Sequence, residues 1–303
     1  MSVIEYRPAI PADIPAMMAL MNAQYQRKKT GAYFQWQYFT SRDPTVSWCA
    51  FVGDELIGMF GLQKRRLFDG TFLGQAIDLL VSPQWRGKGV FPSLAERAAS
   101  HFSDLAFFCV LPNANGKAAV ESALGWKTLA KIDTMEVDVE QIPDRVPDLR
   151  DVLEIADRTR SNVPLLRFRY DDAFRQWRFD AHPEYHYRTV MGDASAFAFV
   201  KQFVGPIGSI AYGDIVDFSC DLQDPERLRD LFFAAAKALQ ADGVRTVTTW
   251  ALPHTLLHHV LIAIGFRDMK QERYFCVNVL PQCVADYTDI TRWHLVEADA
   301  ELY

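Results

Sequence analysis

The chain has 303 residues, half of them apolar, enough to bury two cores of ordinary domain size. Its formal charge of -6, from 32 Lys and Arg against 38 Asp and Glu, leaves no basic face for nucleic acid, and no apolar run reaches the length of a membrane span. Glu5, Arg7 and Asp13 interrupt any signal-peptide core, so a cytoplasmic location is expected. The cysteines Cys49, Cys109, Cys220, Cys276 and Cys283 are scattered and never spaced as CxxC, which reads as reduced, packed thiols.

Period and punctuation predict a short strand over 2–7, a helix over 12–26 with Met17, Leu20 and Met21 on one face, and an aromatic helical turn over 33–39. Two strands follow, WCAFVGD (48–54) and ELIGMFGLQKRRLF (55–68), joined at Gly53-Asp54, and a third runs over 72–82. A turn rich in glycine, Gln84-Trp85-Arg86-Gly87-Lys88-Gly89, then leads into a helix from Val90 to about His101, whose Pro92 sits in the first turn where it removes no helical bond. A buried strand over 105–111, a helix over roughly 115–124 and a final strand pair after Gly125 complete a mixed sheet with helices on both faces. Glycines at a helix N-terminus free backbone amides just where the macrodipole favours an anion, so a phosphorylated ligand is expected at this turn.

The same features recur further along. FQWQY (34–38) is echoed by RQWRF (175–179), AIDLLV (76–81) by IVDFSC (215–220), LPN (111–113) by LPH (252–254), and ALGW (123–126) by AIGF (263–266). The offsets agree: 177 − 36 = 141, 217 − 78 = 139, 253 − 112 = 141 and 265 − 125 = 140. Two copies of one architecture are therefore expected, over 1–139 and 150–280, joined through the proline-bearing, charged stretch 140–149 and followed by a tail over 281–303. Where the first copy has SPQWRGKGVF, the second has CDLQDPERLR, with Asp221, Asp224 and Glu226 in place of glycine, so the second copy is expected not to bind the phosphorylated ligand. Trp36 and Trp177, present in both, read as anchors of a helix against the sheet.

The order of elements and the stretch VSPQWRGKGVF resemble the GCN5-related N-acetyltransferases over 1–139, with a weaker version to about 280. The resemblance implies an α/β fold of two tandem acyl-CoA N-acyltransferase-like domains, each a mixed, mostly antiparallel sheet flanked by helices. It implies acetyl-CoA or another short acyl-CoA as co-substrate, with no metal. The amides of Gln84, Trp85, Arg86, Gly87, Lys88, Gly89 and Val90 would hold the pyrophosphate, the backbone of Leu79, Leu80 and Val81 would pair with pantetheine, and Asn113 or Asn115 would touch it. An amide near Leu80 would bind the oxyanion. Asp78, the only ionisable side chain in AIDLLV, is the candidate base, although Asp217 repeats it in the copy without the glycine turn. The tyrosine acid usual in the family is missing: the position four before Gly125 is Glu121, which would serve only with a raised pKa.

Other groups read more plainly. HTLLHH places His254 and His258 four apart, but Thr255 stands where a metalloprotease has Glu, and a helix-surface pair is expected. Three carboxylates, Glu297, Asp299 and Glu301, punctuate an apolar stripe in the tail, which either docks or stays disordered. The loop RKKTGAYFQW borders the acceptor side in the family, and its Arg27, Lys28 and Lys29, with Tyr33 and Phe34, are the candidate substrate contacts. The two-copy form is also distantly similar to bacterial N-acyltransferases of nucleotide-linked amino sugars. The expectation is thus transfer of a short acyl group to a primary amine of a small molecule such as a nucleotide-linked amino sugar. The rivals are a small amine (amino acid, polyamine or drug) and a non-catalytic acyl-CoA sensor. Neither nucleic acid nor membrane is an expected partner, and a homodimer is compatible with the sequence.

Overall fold

The computed structural model describes residues 3–25, 27–149, 152, 164–204, 210–283 and 285–300. The first copy runs β1 (Glu5–Pro8), α1 (Ile14–Gln24), a short α2 (Gly31–Phe34) continuing as a π-turn (Gln35–Phe39), β2 (Thr45–Val52), β3 (Glu55–Arg66), β4 (Phe72–Val81), α3 (Val90–Ala99), β5 (Phe107–Val110), α4 (Ala114–Leu124) and β6 (Lys127–Asp138). The second repeats the order with α5 (Asp172–Arg175) and its π-turn (Gln176–Asp180), β7 (Tyr187–Met191), β8 (Phe197–Val204), β9 (Ile210–Ser219), α6 (Pro225–Ala241), β10 (Thr246–Ala251), α7 (Leu256–Ile264), a two-residue β11 (Arg267–Asp268) and β12 (Arg273–Val279). The strand pair expected after Gly125 is instead one 12-residue strand, β6. Gly125, left-handed at φ 68°, ends α4 and turns the chain straight into it.

Two compact units result, and neither is continuous in sequence. The first comprises Met1–Leu129, Phe168–Glu184 and Phe275–Thr288, the second Ala130–Arg167, Tyr185–Tyr274 and Asp289–Tyr303. Within the first unit the strand order is β1-β2-β3-β4-β5-β12, within the second β6-β10-β9-β8-β7, with β11 beside β6. Among the described strands, only β4–β5 and β9–β10 run parallel. The sequence copies have therefore exchanged their last strands: β12 lies antiparallel to β5 with Cys276 opposite Val110, and β6 lies antiparallel to β10 with Asp138 opposite Thr246. A buried strand needs an apolar antiparallel neighbour, and either copy's last strand offers one, so the repeat by itself does not say which is used.

The segment 168–184 joins the first unit through the same logic of apolar surface meeting a fixed charge. Buried Arg65 bonds Gln75 Oε1 at 2.8 Å, approaches Asp43 at 3.3 Å and stacks on the rings of Phe168 and Phe174 at 4.7 and 4.5 Å. Trp36 and Trp177 stack at 4.4 Å and 11°, and each indole N–H donates to the other's carbonyl, at 2.9 and 3.3 Å. The repeated tryptophans are thus mutual anchors. The expected tail is core as well: Tyr287 stacks on Phe107 at 4.5 Å in the first unit, while Trp293 and Glu297 are fully buried in the second. Glu301 lies outside the described residues.

Two irregularities of β4 shape the neighbouring surface. Met59 pairs with Leu80 but Gly61 with Ile77, so Asp78 and Leu79 together face the single residue Phe60, a β-bulge. Beyond Gln75, which faces Cys109 in the last β4–β5 pair, β4 runs on from Ala76 to Val81 without β5 beside it, and the sheet opens there.

Candidate functional site

The opening ends at the glycine turn. Gly87 and Gly89 have φ 71° and 79°, conformations that favour glycine, and Gly89 is the N-cap of α3. The helix begins bonding only at Gly89 O, which accepts from Ser93 N at 3.2 Å. The short backbone hydrogen bonds that enter the turn, Trp85 N to Ser82 O at 2.9 Å and Arg86 N to Pro83 O at 3.3 Å, stop before Gly87. Nothing lies within 4 Å of where a Cβ would stand on either glycine. Open space at both glycines thus lies beside a helix N-terminus, an arrangement suited to a pyrophosphate. Around them Arg86 Nε holds Val81 O at 3.1 Å, Gln84 reaches Glu55 at 3.3 Å, and Lys88 lies over the Trp85 ring at 4.9 Å.

Asp78 sits at the other end of the opening, on the bulge. Its φ of 49° is unusual for a residue with a side chain, and such strain concentrates at working sites. The half-buried carboxylate accepts from Tyr38 Oη at 2.8 Å. Burial raises its pKa, and Glu184 adds to the rise, while the Lys29 ammonium and the hydroxyls of Tyr38 and Tyr33 oppose it. A carboxylate so placed is a stronger proton acceptor than one in water. Gly61 permits the contact: a Cβ there would stand 2.6 Å from Tyr38 Oη and 2.7 Å from Ile77 O. Asp217 does not share this geometry, for β9 slips at Val216 and leaves Asp217 in register opposite Phe199, without a positive φ. The bulge is common to both copies, but the strained aspartate belongs to the first.

Several expected contacts have other work. Glu121 accepts from Lys117 at 2.8 Å and from Thr128 at 2.6 Å, and these bonds hold its pKa below the usual carboxylate range. It stays a carboxylate and is unsuited to the acid role. Asn113 is the N-cap of α4, accepting from Gly116 N at 2.9 Å, while Asn115 is exposed in the first turn of that helix. Lys28 donates to Asn22 O and, at 2.9 Å, to Tyr25 O, closing the C-terminus of α1. Lys29 is no rim residue: it is buried, 3.6 Å from the Tyr33 ring and 3.6 Å from Glu184 Oε2. Phe34 is fully buried and stacks on Tyr38, so it belongs to the core. Tyr33 is equally buried yet faces Asp78. Two residues of the site are additions to those expected: Tyr38, whose only signal is its place inside the FQWQY echo, and Glu184, for which the sequence holds none.

In the second unit the corresponding places are filled. Asp224 caps α6, its carboxylate accepting from Glu226 N at 3.1 Å and Arg227 N at 3.0 Å, so this helix N-terminus supplies its own anion. His294, from the C-terminal segment, packs edge-on to Phe218 of β9 at 5.4 Å, and the cavity left between Leu222, His254 and His294 holds about 90 Å³. That is well below the volume of an ordinary ligand pocket, roughly 300 Å³ or more. Thr255 caps α7, which leaves His254 outside the helix, and His258 Nε2 meets Asp133 at 3.2 Å. Among the described residues no group of three His, Cys, Asp or Glu is placed to hold a metal, and no helix is long and apolar enough to cross a membrane.

Known proteins share the fold. Residues 14–125 match the acetyltransferase (GNAT) family. No protein of curated function matches significantly. Among solved structures, a GCN5-related N-acetyltransferase from Anabaena variabilis superposes with a TM-score of 0.63 at 11% identity, over 91% of this chain and 73% of that one. A tandem GNAT protein from the clavulanic acid biosynthesis pathway gives 0.61 at 17% identity, over 91% and 98%. A glucosamine N-acetyltransferase region of a fungal multi-domain β-N-acetylglucosaminidase gives 0.58 at 13% identity, over 91% and 38%. Residues 14–125 thus match the acetyltransferase (GNAT) family, and the chain has the fold of solved N-acetyltransferase structures that include a tandem form.

Proposed function

We propose that the first unit transfers a short acyl group from acyl-CoA to the primary amine of a small molecule, with Asp78 as proton acceptor. The observation that carries this reading is the sheet opening itself, with two open, left-handed glycines at a helix N-terminus at one end and a strained, half-buried carboxylate at the other. The turn amides and the α3 dipole hold the pyrophosphate, and the free stretch of β4 from Leu79 to Val81 pairs with the pantetheine arm. A backbone amide near Leu80 stabilises the oxyanion. Asp78 takes the proton from the attacking amine, and the thiolate leaves without a dedicated side-chain acid, since its pKa is not far above neutral. Turnover of any primary amine in a thiol-release assay with acetyl-CoA tests this against the sensor reading.

For the acceptor, the free amine is the better reading. A diphosphate anchor would need Arg27, Lys28 and Lys29, but Lys28 closes α1 and the other two approach Glu184 at 3.6 Å. The glucosamine region among the structural neighbours keeps amino sugars in the class. Glucosamine and its nucleotide-diphosphate conjugate are therefore expected to differ by less than about threefold in kcat/KM, and Lys28→Ala to leave the ratio alone. A tenfold preference for the conjugate, lost in that variant, would restore the anchored reading.

One acyl-CoA is expected per chain, because the second unit's helix N-terminus is capped by Asp224 and the cavity beside it is small. Calorimetric titration with acetyl-CoA measures it. A stoichiometry near two would mean that the C-terminal segment yields its place.

A further inference from the structure

Glu184 lies 154 residues from its hydrogen-bond partner Thr30, yet both belong to the first unit. Its Oε1 accepts from Thr30 N at 3.0 Å and Thr30 Oγ1 at 3.1 Å; its Oε2 approaches Lys29 Nζ and Arg27 Nη2, each at 3.6 Å. Thr30 in turn is the N-cap of α2, accepting from Tyr33 N at 3.2 Å, and α2 runs into the π-turn that carries Tyr38. One side chain from the second sequence copy thus fixes the start of the element that presents both tyrosines to Asp78. Lys29, 6% exposed, stands between Glu184 and the Tyr33 ring.

We propose that Glu184 and Lys29 are positioning residues for Asp78: the pair sets how readily that carboxylate takes up a proton and holds α2 so that Tyr33 and Tyr38 face it. This rests on the reading of Asp78 as proton acceptor. A buried cation alone beside Asp78 would favour its ionised form so strongly that it became a poor base. The Glu184 carboxylate offsets part of that field, and so keeps Asp78 receptive to a proton. The groups facing Asp78 are Tyr33 of α2, Tyr38 of the π-turn, Lys29 of the preceding loop and Glu184 of the 168–184 segment. Behind them, Arg27 faces Glu184, and His182 Nδ1 accepts from the Glu184 amide at 3.1 Å. The duplication therefore contributes to the chemistry of the first copy, in addition to any scaffolding.

The test is a direct titration of Asp78 in the full chain labelled with 13C at aspartate carboxyls, its resonance assigned as the one lost in Asp78→Asn. Glu184→Gln should lower the midpoint by about half a unit or more, Lys29→Met should raise it by about one unit or more, and Lys29→Arg should restore it. Each variant keeps a similar volume, and circular dichroism reports folding. Unmoved midpoints in folded Glu184→Gln and Lys29→Met overturn the proposal. So does a shift of the same sign in both, which would report loosened packing rather than charge. Because no substrate enters this measurement, its failure is distinct from that of the catalytic reading, which is decided by the turnover of Asp78→Asn.

Discussion

Replacing Gly87 or Gly89 by Asp is expected to weaken acetyl-CoA binding by at least about 100-fold, or roughly 2.7 kcal/mol. Two effects add. At φ 71° and 79° an L-residue costs about 1–2 kcal/mol of backbone strain, and the new carboxylate would stand just before α3, at the proposed pyrophosphate site. Neither glycine has a neighbour within 4 Å of its Cβ position, so nothing clashes and the fold should survive in circular dichroism. The alanine variants carry the strain without the charge, and their loss should stay below about tenfold. Calorimetry with acetyl-CoA separates the two. Undiminished affinity in a folded Asp variant would mean that the turn only terminates β4.

The second large effect concerns Asp78. Asp78→Asn should lower kcat/KM by about 10²- to 10⁴-fold, the range of a lost general base, with acetyl-CoA affinity unchanged. In the native enzyme kcat/KM should fall as pH drops through the pKa of Asp78, which burial raises above the ordinary carboxylate value. Stability runs the other way. A carboxylate with a raised folded pKa binds more protons in the native state than in the unfolded one, so it lowers stability as pH rises past its unfolded value. Asp78→Asn removes that cost, keeps an oxygen for Tyr38, and should melt at the same or a higher temperature at pH 8. An inactive variant that also melts lower would assign Asp78 to structure.

Much of this was legible in the chain because it depends on local physics. The glycine turn, the apolar period of β4 and the end of α4 at Gly125 are each decided by a few neighbouring residues, and the expected bounds lie within a residue or two of the observed ones. The repeat marked Trp36 and Trp177 as packing residues of a helix on the sheet, but not that they stack on each other. What escaped was decided by distant partners. Lys29 reads as a surface cation until Glu184 and the Tyr33 ring are seen beside it, and Glu121 reads as a free carboxylate until Thr128 closes on it. The tail reads as peripheral because its carboxylates outnumber its cues, yet Asp299 is spent locally, accepting from Val296 N at 2.8 Å. The traded last strands left no trace in composition or period, as either strand satisfies the same pattern.

That trade fixes when each unit can finish folding. Val110 emerges from the ribosome long before its partner Cys276, 276 − 110 = 166 residues later, so β5 must wait with one edge bare while nearly the whole second copy is made. Contacts this remote in sequence slow folding, because the loop between them must close before they contribute anything. A nascent chain holding only the first copy is thus an unfinished sheet with the glycine turn already formed locally. Completion of the first sheet is postponed until the second copy has been translated, and the second copy cannot be shed without stranding the first.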